Sequence, residues 1–281
     1  GIKTEIKMIK PSVTLSLIAP YGVPFLRPQM KEPWPDLVIA AGRKTIPYLR
    51  YIKKFSKTGC KTIYLQDPKI DSKEFDIVWA PTYDSIEGDN VIKTLTSPNR
   101  VTDQLLNTHH SEWLKKLSKL KGPFVGFLIG GKSKAFSFNN KDCEKILTAL
   151  SYVINKGYTP LITMSRRSPK ILSDRIRDLL GNKKNLFYDG NGDNPYFAIL
   201  KVSEAIIATP DSANMISEAL NVPKPLYYID LKSSSKRFNQ FINMLRNSNH
   251  IRPFKNNIEL FDSKKLDPTQ EIVDYISKNL F

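Results

Sequence analysis

The stretch EAIIATPDSANMISEAL, Glu204 to Leu220, indicates the fold class, because its pattern is that of a buried strand joined to a helix by a sharp turn. Its first part, Glu204–Thr209, is a short apolar run of the kind that forms a strand. A helical pattern follows over Ser212–Asn221. Strand, turn and helix in this order form the repeating unit of a parallel α/β fold. The turn places Asp211 and Ser212 at the end of the strand.

Comparable units recur along the chain. The chain after residue 121 contains five runs with the pattern of strands: Phe124–Gly131, Thr159–Ser165, Lys184–Asp189, Glu204–Thr209 and Lys224–Asp230. The first third contains three more: Asp36–Thr45, Lys61–Pro68 and Phe75–Asp84. Because repeated units with right-handed crossovers build doubly wound sheets, the sequence predicts an α/β protein with two Rossmann-like domains and parallel sheets.

A polar, partly helical stretch separates the two sets of strands. It covers residues 90–121 and ends at Gly122-Pro123, which we take as the domain junction. The prediction is an N-terminal Rossmann-like domain over residues 1–121, lacking its first strand, and a C-terminal one over residues 122–281. The last segment, Asp267–Leu280, is an amphipathic helix that can pack on either domain.

The composition is that of a globular protein without a structural metal site. The chain has 281 residues, 41% of them hydrophobic, which is enough to bury a substantial core. Cys60 and Cys143 lie far apart, and the three histidines match no metal-ligand spacing. No apolar run reaches the roughly 18 to 20 residues that cross a bilayer. We expect a cytoplasmic protein with no metal and no bound cofactor.

The formal charge of +16 favours anionic partners. The lysines are scattered almost evenly, so solvated surface charge is the simpler interpretation. Weak peripheral contact with an anionic membrane, such as the inner membrane, is an alternative because it needs only surface lysines. No nucleic-acid recognition motif accompanies the charge, and nucleic acid is not an expected partner.

The residues that follow the strands of the second domain suit a phosphate group. In an open parallel sheet the ligand lies beyond the carboxyl ends of the strands. Three loops reach that edge with anion-binding chemistry: Gly130, Gly131, Lys132 and Ser133; Ser165, Arg166 and Arg167; Asp211, Ser212 and Asn214. Each loop alone is also explained by a tight turn or a helix cap. Their convergence on one edge favours a site for phosphate oxygens.

Glu218 lies seven residues after Asp211, which is two helical turns, so both can face the same side. A carboxylate there can accept hydrogen bonds from ribose or sugar hydroxyls. An exposed acid on a helix is an equally good interpretation.

The first domain also carries polar residues after its strands. Gly42–Thr45 resembles half of an anion site, and Asp67 and Asp84 follow the next two strands. We place the acceptor on this side, with Asp67 or Asp84 as the base toward an acceptor hydroxyl. The sequence GRKT is not a P-loop, because Leu37 stands five residues before Gly42, where a P-loop has its first glycine, and no GxGxxG fingerprint occurs.

Four motifs carry a family resemblance: GGKS, SRRSP, NPY and TPDSANMISEA, in that order. With these motifs the chain resembles, over nearly its whole length, the mitochondrial-fission elongated-mitochondria protein family, which bacteria also carry. It departs from that family in lacking the first strand and its glycine-bearing loop.

The resemblance implies a GT-B glycosyltransferase-like protein. In that class two Rossmann-like domains enclose a nucleotide sugar, and the final helix crosses back to the first domain. The resemblance implies contacts to the nucleotide diphosphate or its sugar from Gly131, Lys132, Ser165, Arg166, Asp211, Ser212 and Glu218. The expected function is that of a metal-independent glycosyltransferase. The alternatives are a nucleoside-diphosphate-sugar epimerase, as bacterial members are often labelled, and a non-catalytic scaffold at a membrane surface, since plant members act in organelle division.

Overall fold

The computed structural model describes residues 3–22, 24, 33–56 and 59–280. The strands are β1 (Leu37–Ala41), β2 (Lys61–Leu65), β3 (Ile77–Pro81), β4 (Val91–Thr94), β5 (Phe124–Ile129), β6 (Thr159–Met164), β7 (Leu186–Tyr188), β8 (Ala205–Ala208), β9 (Leu226–Tyr228) and β10 (Ile251–Pro253). The helices are α1 (Val13–Ile18), α2 (Ile46–Phe55), α3 (Asp103–Leu117), α4 (Asn140–Asn155), α5 (Lys170–Leu180), α6 (Tyr196–Val202), α7 (Ala213–Leu220), α8 (Lys236–Asn247) and α9 (Pro268–Leu280).

The chain forms two compact units, Gly1–Thr94 with Gln270–Phe281, and Leu95–Thr269. The predicted boundary at residue 121 differs from this division, because α3 belongs to the second unit and lies against α6. Its buried face includes Leu106 and Trp113. Helix α9 belongs to the first unit, as the resemblance implied, and the Tyr275 hydroxyl donates to the Asp89 carbonyl at 2.9 Å. None of the described helices is long and apolar enough to cross a membrane.

The first unit contains a parallel sheet with the strand order β1-β2-β3-β4. Its core includes Ile46 and Leu49 of α2, packed with Tyr64 of β2, Phe75 and Val78 of β3. The three strands predicted from the sequence are confirmed. Strand β4 was missed, because it lies in the stretch that looked polar.

The second unit contains a parallel sheet with the order β10-β9-β8-β5-β6-β7. The five predicted strands are confirmed, and β10 adds a sixth at the edge. From β5 the chain proceeds to β6 and β7 on one side, then to β8, β9 and β10 on the other. The strand order therefore reverses between β5 and β8, which is where ligands of such sheets bind.

Packing and capping fix the elements around this reversal. Val125 and Phe127 of β5, Ile162 of β6 and Ile207 of β8 are fully buried in one apolar core. Helix α4 begins at a capping box, in which the Asn139 side chain accepts the Asp142 N–H and the Asp142 carboxylate accepts the Asn139 N–H. Such a box satisfies two N–H groups that a helix start leaves open. The loop from Gly130 to Asn139 is thus held at both ends.

Candidate functional site

The loops after β5 and β8 are joined by a buried hydrogen-bond network. The Gly130 N–H donates to the Thr209 hydroxyl at 2.7 Å, and the Gly131 N–H donates to the Asp211 carboxylate at 2.9 Å. The Thr209 hydroxyl in turn donates to the other Asp211 oxygen at 2.6 Å. The two glycine N–H groups are therefore already occupied by the chain itself.

The two glycines make room for this network. A Cβ atom at Gly130 would lie 2.0 Å from the carboxylate oxygens of Asp211. A Cβ atom at Gly131 would lie 2.2 Å from the carbonyl carbon of Arg167. Both distances are far shorter than any normal contact, so a side chain at either position would force the loops apart. The Gly-Gly pair is explained by the close approach of the chain's own groups.

Asp211 is the centre of the network. Its side chain has no exposed surface, and its carboxylate lies 3.8 Å from the guanidinium of Arg167. Burial raises the pKa of Asp211, while the Thr209 hydroxyl, the Gly131 N–H and the Arg167 charge act in the opposite direction. The structure thus gives Asp211 a role inside the protein, and a ligand contact by Asp211 stays a prediction.

The other N–H groups of these loops are also used internally. The Lys132 N–H donates to the Arg167 carbonyl at 3.1 Å, and the Ser133 N–H donates to the Phe136 carbonyl at 3.0 Å. The hydroxyls of Ser165, Ser133 and Ser212 accept the backbone N–H groups of Arg167, Ala135 and Met215. Each of these hydroxyls still has a proton that it can donate to a ligand.

Two positive side chains at this edge remain available. Lys132 and Arg166 are exposed, and within the described part of the chain neither side chain has an ion-pair partner. The side chain of Arg166 passes Gly190, where a Cβ atom would lie 3.9 Å from its Cγ atom. Arg166 therefore lies next to the loop that follows β7. The structure brings the three predicted loops to one edge and leaves these two cations free for an anion.

A cavity of about 800 Å³ opens beside the loop after β7 and is lined by residues of α3, α6 and α7. Its lining includes Arg100, Trp113, Asn194, Tyr196 and Glu218. The Asn194 side-chain oxygen accepts the Tyr196 N–H at 3.0 Å, which fixes the start of α6. Sequence reasoning singled out Glu218 but missed Asn194 and Tyr196. The NPY motif, Asn194 to Tyr196, could have pointed to both residues, but it served only as part of the family resemblance.

The hydroxyl of Tyr196 is buried at this cavity and has no hydrogen-bond partner of normal geometry among the described residues. Burial first, and then the nearby charge of Glu218 and a hydrogen bond to its carboxylate, raise the pKa of Tyr196 well above its ordinary value. A buried polar atom without a partner is uncommon in folded proteins. The cavity thus presents the half-buried Glu218 carboxylate beside the buried Tyr196 hydroxyl.

The candidate residues of the first unit already have partners. Asp67 accepts a hydrogen bond from the Lys69 ammonium at 2.6 Å, and Arg43 of the predicted half anion site donates to the Ala19 carbonyl. Asp84 is buried, and its carbonyl accepts from the Lys93 ammonium at 3.0 Å. The roles of Asp67 and Asp84 as bases stay predictions.

The fold is GT-B-like. It is similar to that of the UDP-GlcNAc 2-epimerase from Methanocaldococcus jannaschii, with a TM-score of 0.51 and 13% sequence identity. The similarity covers 87% of this chain and 77% of that chain. At this level of identity the likeness concerns the fold.

Two relatives are similar in sequence. The protein RP120 of Rickettsia prowazekii is 27% identical over 277 residues, with 84% of this chain and 77% of that protein covered. The mitochondrial fission protein ELM1 of Arabidopsis thaliana is 24% identical over 264 residues, with 85% of this chain covered. This chain spans 62% of the length of the Arabidopsis protein. Residues 1–280 match the family described as Mitochondrial fission ELM1, and the chain is a member of that family.

Proposed function

We propose that this chain binds a nucleoside-diphosphate sugar at the carboxyl edge of its six-stranded sheet and acts as a metal-independent glycosyltransferase. The observation that carries the proposal is the pair of exposed cations, Lys132 and Arg166, at the edge where the strand order reverses, since neither forms an ion pair with another described residue. A guanidinium and an ammonium group both bind phosphate oxygens well.

The surroundings of this pair support a diphosphate. The hydroxyls of Ser165 and Ser212 lie in the same loops, and Ser212 stands at the positive end of the α7 dipole. In the transfer, an acceptor hydroxyl oxygen bonds to the anomeric carbon as the bond from that carbon to the diphosphate oxygen breaks. The diphosphate leaves with the electron pair, and Lys132 and Arg166 offset its charge.

The hydroxyl proton goes to a general base, for which Asp67 and Asp84 are our candidates. The Methanocaldococcus jannaschii protein is a UDP-GlcNAc 2-epimerase, and UDP-GlcNAc is a sugar nucleotide of the proposed class. Product analysis distinguishes a glycosyltransferase from the two alternatives. An epimerase changes the donor sugar without an acceptor, and a binding protein without turnover leaves the donor sugar intact.

The proposal is tested by calorimetric titration of the protein with inorganic pyrophosphate and with UDP, GDP, ADP and CMP sugars. Arg166→Ala is expected to weaken binding at least about tenfold, or about 1.4 kcal/mol, because a charge-assisted hydrogen bond is lost. The control is Arg246→Ala, which removes an exposed arginine near the far end of α8. If the wild-type protein binds none of these ligands, or if both variants lose equal affinity, the proposal is wrong.

A further inference from the structure

The loop that follows β9 lies at the same edge of the six-stranded sheet as the proposed diphosphate site. It covers residues 229–235 and ends where Ser235 caps α8. Strand β9 is the direct neighbour of β8, whose own loop carries Ser212. Because the carboxyl ends of parallel strands meet at one edge, a ligand between the loops after β5 and β8 also has the β9 loop beside it.

The loops after β9 and β5 are packed together. The Ser234 N–H donates to the Ala135 carbonyl at 3.0 Å, and the Ser234 hydroxyl donates to the Lys134 carbonyl at 3.3 Å. The rings of Phe136 and Phe238 pack edge to face, with their centres 5.2 Å apart. These contacts bring side chains of the two loops into one surface patch.

This patch is strongly basic. Its two segments, residues 132–138 and 229–237, contain five basic residues and one acidic residue, Asp230. We define the lysine cluster as the three basic residues that are exposed, lie outside the proposed diphosphate site and form no ion pair with another described residue: Lys134, Lys232 and Lys236. The charges of the lysine cluster are therefore available to an anion.

Two serines of the β9 loop add hydroxyl donors to the patch. The Ser233 hydroxyl accepts the Ser235 N–H at 3.1 Å, and the Ser235 hydroxyl accepts the Phe238 N–H at 3.3 Å. Each hydroxyl is thereby fixed in position and keeps its proton for a ligand. Ammonium and hydroxyl groups together suit the oxygens of a carboxylate or a phosphate.

The apolar residues of the patch favour a small anion over a lipid surface as its partner. Phe136, Phe138 and Leu231 are all buried. A segment that inserts into lipid presents large apolar side chains to the membrane. The patch presents charged and hydroxyl groups instead.

The lysine cluster begins next to the proposed diphosphate site. Lys134 follows Lys132 by two residues, so their Cα atoms lie at most about 7 Å apart. A nucleotide sugar has its nucleoside on one side of the diphosphate and its sugar on the other, and the nucleoside is uncharged at neutral pH. Only the sugar can therefore carry the additional negative charge that this patch suits.

We propose that the transferred sugar is acidic and that its carboxylate contacts the lysine cluster. The inference rests on the proposed function and deepens it, because it names the class of the donor sugar. Lys134, Lys232 and Lys236 are then residues that determine specificity, and the uronic acids are the simplest sugars of the class.

The test compares sugars that differ by one carboxylate. Calorimetric titrations use UDP-glucuronate against UDP-glucose, and glucuronate 1-phosphate against glucose 1-phosphate, since the second pair contains no nucleotide. At least one acidic sugar is expected to bind about tenfold or more tightly than its neutral counterpart, because it adds charge-assisted hydrogen bonds. Equal or weaker binding of the acidic sugar in both pairs would overturn the inference.

A double variant assigns the preference to the lysine cluster. Lys232→Gln combined with Lys236→Gln removes two charges, and the preference for the acidic sugar is expected to disappear while the affinity for the neutral sugar is unchanged. The matched control is Lys183→Gln combined with Lys184→Gln, which removes two exposed charges just before β7, at the amino end of the sheet. A preference that survives in the first double variant, or that is lost equally in both, would contradict the role of the lysine cluster.

The outcomes also separate this inference from the proposed function. If the acidic and neutral nucleotide sugars bind with equal affinity, the acidic sugar is wrong and the nucleotide-sugar site stands. If neither pyrophosphate nor any of the four sugar ligands binds, the proposed function is wrong, and so is the acidic donor sugar.

Discussion

The turn at Asp211 and the cavity at Glu218 are two acidic sites that follow the same strand, β8, and lie seven residues apart. Asp211 is fully buried, and its oxygens accept bonds from Thr209 and Gly131. Glu218 is half-buried and lines a cavity beside the Tyr196 hydroxyl. The sequence pattern marks both as ligand contacts, but the structure gives them different surroundings.

The difference between them shows how to separate a structural carboxylate from a binding one. A carboxylate whose acceptor positions are filled by the protein holds loops together. One that lines a cavity has hydrogen-bonding capacity left for a ligand. Stability measurements on variants of Asp211 and binding measurements on variants of Glu218 therefore test this distinction.

The largest effect on stability is expected for Asp211→Ala. The change leaves the Gly131 N–H and the Thr209 hydroxyl without their buried acceptor and removes the partner of Arg167. We expect a loss of about 3–5 kcal/mol in the free energy of unfolding. Urea denaturation measures it. Glu218→Gln is the matched variant, with an expected change within about 0.5 kcal/mol. If both variants lost a similar free energy of unfolding, the distinction between a structural Asp211 and a binding Glu218 would be wrong.

A somewhat smaller loss is expected for Gly131→Ala. The new methyl group would lie 2.2 Å from the Arg167 carbonyl carbon, and backbone atoms cannot rotate away as a side chain can. We expect a loss of about 2–3 kcal/mol in the same urea experiment. The control is Gly122→Ala, where the nearest atom is 3.8 Å from the added Cβ. A tolerated Gly131→Ala would show that the two loops are not tightly joined.

The smallest effect is a pH dependence. Burial raises the pKa of Asp211 in the folded protein, so the folded state binds its proton more readily than the unfolded state. The stability contributed by protonation is present in full below the unfolded pKa of about 3.9 and is lost as pH rises through the folded pKa. Relative to Asp211→Asn, the wild-type protein should therefore gain stability as pH falls toward about 4. Parallel denaturation of both proteins across this range measures the gain, which amounts to about 1.4 kcal/mol per unit of pKa shift. A constant difference would contradict the raised pKa.

Much of the fold follows from the sequence, because each longer strand is a distinct apolar run followed by a turn. Strands β4 (VIKT) and β10 (IRP) were missed because a charged residue interrupts each short apolar run. The domain boundary was placed later than in the structure. The apolar face of α3 does not reveal which helix it packs on, and its partner α6 begins 79 residues after the end of α3.

The site was predictable in part. The order of strands and turns was enough to predict that the three loops lie at one edge of the sheet. In the structure Gly131, Arg167 and Asp211 are in contact there. A sequence pattern does not show which donors and acceptors already have hydrogen-bond partners within the protein. The internal role of Asp211 could therefore not be predicted. The cavity was missed because its walls come from segments far apart in the sequence, such as Trp113 and Tyr196.

The most direct test of nucleotide binding is a crystal structure of the protein soaked with UDP. We predict that the diphosphate lies against Lys132, Arg166 and the start of α7. We also predict that the ribose hydroxyls lie on Glu218 and that the Gly131 to Asp211 hydrogen bond stays intact. A nucleotide bound elsewhere, or one that displaces Asp211 from Gly131 to contact its carboxylate, would contradict the proposed site.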